Sequence, residues 1–174
     1  RKNNYTLSDN FVRLIAVGSL TEQKGYDLLI SSITKVVQKN VKLKLSIWGE
    51  GAEREKMEML IRENNLSSTI SLPGVTDDIF SEYLNSDIFI LSSRYEGFPN
   101  VLLEAMSVGL PCISTDCAYG PSEIIENERN GLLVEAENVD ALANAILDLC
   151  RNEDKRRLLG ENAKQVNETY SIQK

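Results

Sequence analysis

The sequence predicts an α/β protein with a Rossmann-like, doubly wound parallel sheet of about six strands and helices on both faces. Two observations lead to this prediction. Short apolar segments of strand length alternate with longer segments whose apolar residues recur at helical spacing. The first three strand-like segments are each followed by a glycine or a Pro-Gly pair, and the alternation of strands and helices is typical of parallel strands joined by helices.

The first strand is predicted at 12–17, where an apolar run ends at Gly18. The first helix is predicted at 26–38, and a second strand at 43–48 ends in Gly49-Glu50-Gly51. A charged amphipathic helix is predicted at 52–63, with Met57 directed inward. The later segments continue the alternation: strand 69–72, helix 79–84, strand 87–91, helix 99–108, strand 112–114, helix 121–125, strand 131–134, and helices 139–150 and 155–166.

The bulk properties favour one domain and exclude several classes of protein. The 174 residues suit a single domain at 11–174, preceded by a polar linker or chain edge at 1–10. A net charge of −7 argues against a nucleic-acid binder. The absence of histidine excludes Ser-His-Asp and His-metal chemistry, and three irregularly spaced cysteines argue against a disulfide framework or zinc site. No transmembrane segment or signal peptide is evident, so we expect a cytoplasmic protein.

The loops after the first four strands are the expected ligand site, because parallel sheets bind ligands beyond the carboxyl ends of their strands. The first loop contains Gly18, Lys24 and Gly25, where glycines admit a close ligand and lysine offers a charge for phosphate. A solvated turn is the alternative interpretation of this loop. Gly49-Glu50-Gly51 and the Gly120-to-Glu123 loop are open to the same two interpretations.

The segment from Arg94 to Pro111 contains two carboxylates, Glu96 and Glu104, separated by seven residues. Pro99 suits the first turn of the helix that follows, and a helix N-terminus attracts phosphate. The two acids could be an acid–base pair of a glycoside hydrolase, but a phosphate-type helix start between them favours hydroxyl recognition instead. A solvated loop acid and a helix-dipole acid are the remaining alternatives.

The segment Glu96-Gly-Phe-Pro-Asn-Val-Leu-Leu-Glu104 resembles the E-x7-E motif of retaining glycosyltransferases of family 4, which have the GT-B architecture. The resemblance extends over about residues 11 to 170. Supporting matches are Val17-Gly18 with Lys24-Gly25, Gly49-Glu50-Gly51, Pro73-Gly74-Val75, Ser93-Arg94-Tyr95, Ala105-Met106, Gly109-Leu110-Pro111, Ser114 to Cys117, Gly120 to Glu123 and Asn130 to Val134.

The resemblance implies that this chain is the donor-binding half of a GT-B fold, with the N-terminal acceptor domain absent. Lys24 would then bind the donor diphosphate, Glu96 would contact the transferred sugar as the catalytic residue, and Glu104 would bind the ribose. The backbone near Val75 would read the base. Further donor-binding residues implied are Gly18, Ser19, Gly49, Arg94, Gly97, Phe98, Pro99, Asn100, Val101 and Leu102.

One position departs from the family pattern. Many members have arginine directly after the first-loop glycine, where this chain has Ser19, which supplies a neutral hydrogen bond instead of a charged fork. Lys24 is then the main cation for the diphosphate, with Arg94 nearby.

The resemblance further implies transfer of a hexose or N-acetylhexosamine from a nucleotide sugar, a UDP-sugar in our interpretation, without a metal or other cofactor. The acceptor would be a surface glycan such as a capsule, lipopolysaccharide or lipid-linked saccharide of a bacterium, with peripheral attachment at the inner face of the membrane through the absent domain. We expect this fragment alone to be inactive. A GT-B nucleotide-sugar epimerase and a non-catalytic nucleotide-binding module are the alternatives.

Overall fold

The computed structural model describes residues 10–170 and contains one six-stranded sheet in the order β3-β2-β1-β4-β5-β6. Every pairing between neighbouring strands is parallel, and the strand order reverses between β1 and β4. The predicted fold class is therefore confirmed. The strands are β1 (Val12–Val17), β2 (Leu43–Trp48), β3 (Ile70–Gly74), β4 (Ile88–Leu91), β5 (Cys112–Asp116) and β6 (Leu132–Glu135).

Helices occur where helical periodicity predicts them, with shifted boundaries. They are α1 (Tyr26–Val37), α2 (Arg54–Glu63), α3 (Ile79–Leu84), α4 (Asn100–Ser107), α5 (Pro121–Ile124), α6 (Val139–Arg151), α7 (Glu153–Ala163) and α8 (Val166–Thr169). Helix α7 begins before the predicted Lys155 because the Asn152 side chain accepts the Lys155 N–H at 2.9 Å and caps the first turn. Two short elements were not predicted: a 3₁₀ turn at Glu22–Lys24, and helix α8, since the last predicted helix ends at Val166.

The core has two layers, one on each face of the sheet. In β1, Leu14 and Ala16 face a cluster that includes apolar residues of α1 and α6. Ile15, between them, faces a second cluster that includes residues of α4. Alternate side chains of one strand thus enter opposite layers, as expected when helices cover both faces of a sheet.

The edge strand β3 extends two residues beyond its predicted end at Leu72. It includes Pro73, which has no N–H to donate. Proline is tolerated there because β3 pairs only with β2 and lies at the edge of the sheet. The predicted linker at 1–10 lies outside the described residues except for Asn10. Within residues 10–170, no helix is long and apolar enough to cross a membrane.

Candidate functional site

The loops after the first four strands are joined at one edge of the sheet by backbone hydrogen bonds. The Gly18 N–H donates to the Trp48 carbonyl at 2.9 Å, and the Gly49 N–H donates to the Gly74 carbonyl at 2.7 Å. The Arg94 N–H donates to the Gln23 carbonyl at 2.8 Å, so the β4 loop joins the β1 loop. The structure therefore brings together the segments from which the sequence predicts a ligand site.

Two glycines permit this close approach of the loops. A Cβ atom on Gly49 would lie 1.9 Å from the Gly18 carbonyl oxygen, and one on Gly25 would lie 2.2 Å from the Ser92 carbonyl oxygen. Both glycines have positive φ, at 143° and 62°. Glycine at these positions is thus required by contacts within the protein, whatever ligand the loops bind.

The centre of the site is an ion pair between Lys24 and Glu96, which are 72 residues apart in the chain. The Lys24 Nζ donates to Glu96 Oε1 at 2.7 Å, and the side chains are 14% and 6% exposed. The Ser93 hydroxyl donates to the same oxygen at 2.5 Å. Glu96 Oε2 has no hydrogen-bond partner among residues 10–170, so one carboxylate oxygen remains available to a ligand.

Local contacts hold Lys24 in place for this pairing. The Lys24 carbonyl accepts the Ser92 hydroxyl at 2.8 Å, and the Gln23 side-chain amide donates to the Tyr95 carbonyl at 3.1 Å. The Thr115 hydroxyl, at the end of β5, donates to the Ser93 carbonyl at 2.6 Å. The loops that carry the lysine and the glutamate are therefore fixed against each other and against the sheet.

Glu104 is held separately on α4, by a residue from α3. The Tyr83 hydroxyl donates to Glu104 Oε2 at 3.1 Å. Burial, together with the Glu104 carboxylate, raises the pKa of Tyr83, so its hydroxyl stays protonated as a donor. The other oxygen, Oε1, has no partner within the described chain and can accept a hydrogen bond from a ligand.

The start of α4 offers fewer free N–H groups than its sequence suggests. Pro99 is the N-cap rather than the first helical residue, with ψ at 78°. The Leu102 N–H donates to the Pro99 carbonyl and the Asn100 N–H to the Phe98 carbonyl, both at 3.0 Å. The N–H groups of Gly97, Phe98 and Val101 have no partner in the described part of the chain, so these three are available to bind an anion.

Arg94 makes an extensive contact inside the protein. Its two terminal nitrogens donate to the two carboxylate oxygens of Asp27 at 2.9 and 2.7 Å. It also donates to the Glu22 carbonyl at 2.7 Å and contacts Glu137 at 3.3 Å. The hydrogen bonds from Arg94 hold the pKa of Asp27 below its usual value. The guanidinium predicted to bind the donor is therefore already engaged by protein oxygens.

Replacing Asp27 with asparagine should lower the free energy of unfolding by about 1 kcal/mol at pH 5, a modest value because the pair is partly exposed. Because folding lowers the pKa of Asp27 from 3.8, this contribution is present above pH 3.8 and is lost as pH falls through the folded-state value. Urea unfolding of both proteins at pH 5 and pH 2.5 checks it. An equal difference at both pH values would contradict the ion-pair origin.

Three further predicted residues, Ser19, Val75 and Phe98, lie at the carboxyl ends of the strands and differ in their exposure and contacts. Ser19 is exposed, its hydroxyl lies 3.4 Å from that of Thr21, and its N–H has no partner in the region described. Val75 is 73% exposed just after β3. The Phe98 ring is 49% exposed and packs against Tyr170, with ring centroids 6.1 Å apart.

Two residues at the site, Tyr83 and Tyr26, were not singled out from the sequence, and Ser93 was named only as a match to the family, without a role. Tyr26 lies two residues after Lys24, so its position beside that lysine is its only available signal. Tyr83 has no such signal, because it reaches Glu104 from another helix across 21 residues. Hydrophobic periodicity does not distinguish a tyrosine or serine at a binding site from one in the core.

Residues 2–166 match the family model described as "Glycosyl transferases group 1". A glycosyltransferase of Methanocaldococcus jannaschii is 43% identical over 122 residues, which are 70% of this chain and 30% of that protein. The poly(ribitol-phosphate) alpha-N-acetylglucosaminyltransferase of Staphylococcus aureus is 32% identical over 158 residues, 90% of this chain and 32% of that protein.

Among solved structures, a variant of S. aureus TarM in complex with fondaparinux, alpha-GlcNAc-glycerol and UDP superimposes with a TM-score of 0.88 at 29% identity. The match covers 95% of this chain and 34% of that one. The chain thus spans about a third of the length of these relatives.

Proposed function

The chain belongs to the glycosyl transferases group 1 family, and on that premise we propose that it is the donor-binding domain of a retaining glycosyltransferase of family 4. The proposed reaction transfers a hexose or N-acetylhexosamine from a nucleotide diphosphate sugar to a surface-glycan acceptor. The observation that carries the proposal is the Lys24–Glu96 pair at the carboxyl ends of the strands, in which Glu96 Oε2 has no hydrogen-bond partner within residues 10–170.

Lys24 and the start of α4 are the proposed diphosphate site. The Lys24 ammonium is a point charge whose sole hydrogen-bond partner among residues 10–170 is Glu96. The unpaired N–H groups of Gly97, Phe98 and Val101 add neutral donors. Because Arg94 is engaged by Asp27 and the usual arginine is replaced by Ser19, Lys24 carries the charge of this interaction.

The carboxylates of Glu96 and Glu104 are proposed to accept hydrogen bonds from sugar hydroxyls. Glu96 Oε2 would accept hydrogen bonds from the transferred sugar and stabilise positive charge that develops at its reacting carbon. Glu104 Oε1 would accept from the ribose, while Tyr83 fixes the other oxygen. The backbone at Val75, an exposed residue just after β3, would contact the base. A glycosidase pair of acids is disfavoured because Glu96 is bound to an ammonium group.

The donor and acceptor are proposed by analogy with the relatives. The TarM complex contains UDP, which supports a UDP-sugar donor here. The S. aureus enzyme is named for an alpha-linked product on a poly(ribitol-phosphate) acceptor, which supports a polymeric surface glycan. We further propose that acceptor binding requires a second domain and that residues 1–174 alone transfer no sugar, because the chain matches only about a third of the length of these relatives.

Replacing Lys24 with glutamine should weaken UDP binding by the natural full-length protein about tenfold, because a charge-assisted hydrogen bond becomes a neutral one. Glutamine retains a donor for Glu96 and so limits damage to the fold. Isothermal titration calorimetry with UDP, in buffer containing EDTA, measures the change. Lys35→Gln, which removes a lysine from an exposed surface pair with Asp140, is the matched control.

Equal UDP affinity in the wild type and Lys24→Gln would contradict the assignment of Lys24 to the diphosphate. Loss of UDP binding on addition of EDTA to the wild type would contradict a metal-independent site. Titration with ADP and GDP in the same series identifies the preferred base.

A further inference from the structure

The guanidinium of Arg94 fastens the loop that carries Glu96 to the segment that carries Lys24. Arg94 lies two residues before Glu96, in the stretch 92–99 between β4 and α4, which forms neither helix nor strand. Its terminal nitrogens donate to both carboxylate oxygens of Asp27 at 2.9 and 2.7 Å, and one of them also donates to the Glu22 carbonyl at 2.7 Å. Glu22 and Asp27 stand on either side of Lys24 in the chain, so one side chain contacts both ends of the short segment around this lysine.

The Arg94 side chain supplies the charged part of this attachment. The Arg94 N–H donates to the Gln23 carbonyl at 2.8 Å, and the Gln23 side-chain amide donates to the Tyr95 carbonyl at 3.1 Å, but both of these hydrogen bonds are neutral. The guanidinium adds two hydrogen bonds in which donor and acceptor are both ionised. Two parallel hydrogen bonds to one carboxylate fix direction as well as distance, so this contact restrains a loop that has no regular secondary structure.

A diphosphate would have to displace protein oxygens in order to reach this guanidinium. The Arg94 side chain is 20% exposed, and its Nε contacts Glu137 at 3.3 Å, so all three of its nitrogens are engaged. Moving the guanidinium to a phosphate would leave the partly buried Asp27 carboxylate without the partner of its only ion pair within residues 10–170. These contacts favour Lys24 over Arg94 as the cation for a diphosphate, and they leave Arg94 with a different role.

We propose that Arg94 is a positioning residue: paired with Asp27, it keeps the Glu96 carboxylate in the geometry that sugar transfer requires, and it makes no contact with the donor. This inference rests on the proposed function, and it replaces the donor-binding role that the family resemblance implies for Arg94. Arg94 acts through Glu96, which must lie against the reacting carbon in order to stabilise charge there. Lys24 is held separately, since its carbonyl accepts the Ser92 hydroxyl at 2.8 Å, so nucleotide affinity depends little on Arg94.

Replacing Arg94 with lysine in the natural full-length protein tests this role. A lysine keeps the charge but cannot form the two parallel hydrogen bonds with Asp27. We expect kcat for transfer from a labelled UDP-hexose or UDP-N-acetylhexosamine to fall about tenfold, while the Kd for UDP stays within about twofold of the wild type. Asp27→Asn removes the other half of the pair and should give the same two results.

Arg156→Lys is the matched control and should retain wild-type kcat and UDP affinity. Arg156 also donates from its guanidinium to protein oxygens, the carbonyls of Leu149 and Cys150 at 2.6 and 3.1 Å. It lines a groove with Val12 at the start of β1, at the opposite end of the strands from the candidate site. Urea unfolding of each variant shows that the protein assayed is folded.

Two double variants show whether Arg94 acts through its proposed partners. Arg94→Lys combined with Asp27→Asn should have the kcat of either single variant, because the same contact is lost in all three proteins. In the Glu96→Gln background, Arg94→Lys should lower kcat no further, since the carboxylate that it positions is already absent. A merely structural role would lower kcat by the same factor with or without Glu96.

The opposite pattern of affinities would overturn the inference. If Arg94 binds the diphosphate, Arg94→Lys should weaken UDP binding about tenfold, and Asp27→Asn, which frees the guanidinium, should tighten it. Wild-type kcat in Arg94→Lys would also overturn the inference, as would a further loss of kcat in either double variant.

The same series distinguishes failure of this inference from failure of the proposed function. If Lys24→Gln loses UDP affinity and Glu96→Gln loses turnover while Arg94→Lys behaves like the wild type, the role of Arg94 alone is wrong. If Lys24→Gln and Glu96→Gln both behave like the wild type, the site assignment itself is wrong, and the inference about Arg94 falls with it.

Discussion

Replacing Glu96 with glutamine should lower kcat of the natural full-length protein about 10³-fold, with UDP still bound. The substitution preserves size and the ability to accept from Ser93, but it removes the negative charge proposed to stabilise the reacting carbon. An interaction made mainly in the transition state lowers kcat when it is removed and leaves nucleotide affinity nearly unchanged. Single-turnover assays with labelled UDP-sugars, together with UDP calorimetry, measure the two quantities.

Two variants give this measurement its reference points. Glu63→Gln removes a carboxylate at the C-terminus of α2, outside the loops of the site, and should retain wild-type turnover. Glu104→Gln should mainly raise the donor KM, because Glu104 is assigned to the ribose and not to the reacting carbon. Turnover above a tenth of wild type in Glu96→Gln would refute the catalytic assignment. NMR of the products separates a glycosylated acceptor from an epimerised donor.

Replacing Gly49 with alanine should lower the free energy of unfolding by more than about 3 kcal/mol. The new Cβ would lie 1.9 Å from the Gly18 carbonyl oxygen, a backbone atom that no side-chain rotation can move away. The positive φ of 143° adds strain for any residue with a side chain. Urea unfolding followed by circular dichroism measures the change, and unfolded or insoluble protein would be the extreme form of the same result.

Gly97→Ala is the control for this experiment, because a Cβ on Gly97 has no atom within 4 Å. Its free energy of unfolding should stay within about 0.5 kcal/mol of the wild type. Equal stability of the Gly49 and Gly97 variants would show that the β1 and β2 loops can separate without cost, contrary to their packing in the structure.

The fold class follows from short-range patterns of residues in the sequence. Apolar runs such as those of β1 and β4 are stable only when both faces of the strand are buried, so the parallel sheet and its helix layers are predicted correctly. Helix ends are less predictable, because they depend on single side chains. Because Asn152 caps α7, that helix begins before the predicted residue. Helix α4 begins at Asn100, one residue later than predicted, because the ψ angle of Pro99 is not helical.

The position of the candidate site could be predicted from the sequence, but the contacts within it could not. The loops are placed together by the rule that ligands bind at the carboxyl ends of parallel strands, and the structure joins them there. The partner of each charged residue is not contained in that rule. Arg94 lies next to the motif in sequence, but its guanidinium binds Asp27 of α1, 67 residues away.

The sequence by itself determined the alternating strands and helices, the loops that could bind a ligand, and the residue types that could bind phosphate and hydroxyls. Only the tertiary structure decided that Lys24 meets Glu96 and that Tyr83 holds Glu104. The physical reason is the distance along the chain over which each kind of interaction acts. Periodicity and turn chemistry act within a few residues, whereas the choice of partner for a buried charge depends on which strands the whole sheet makes neighbours.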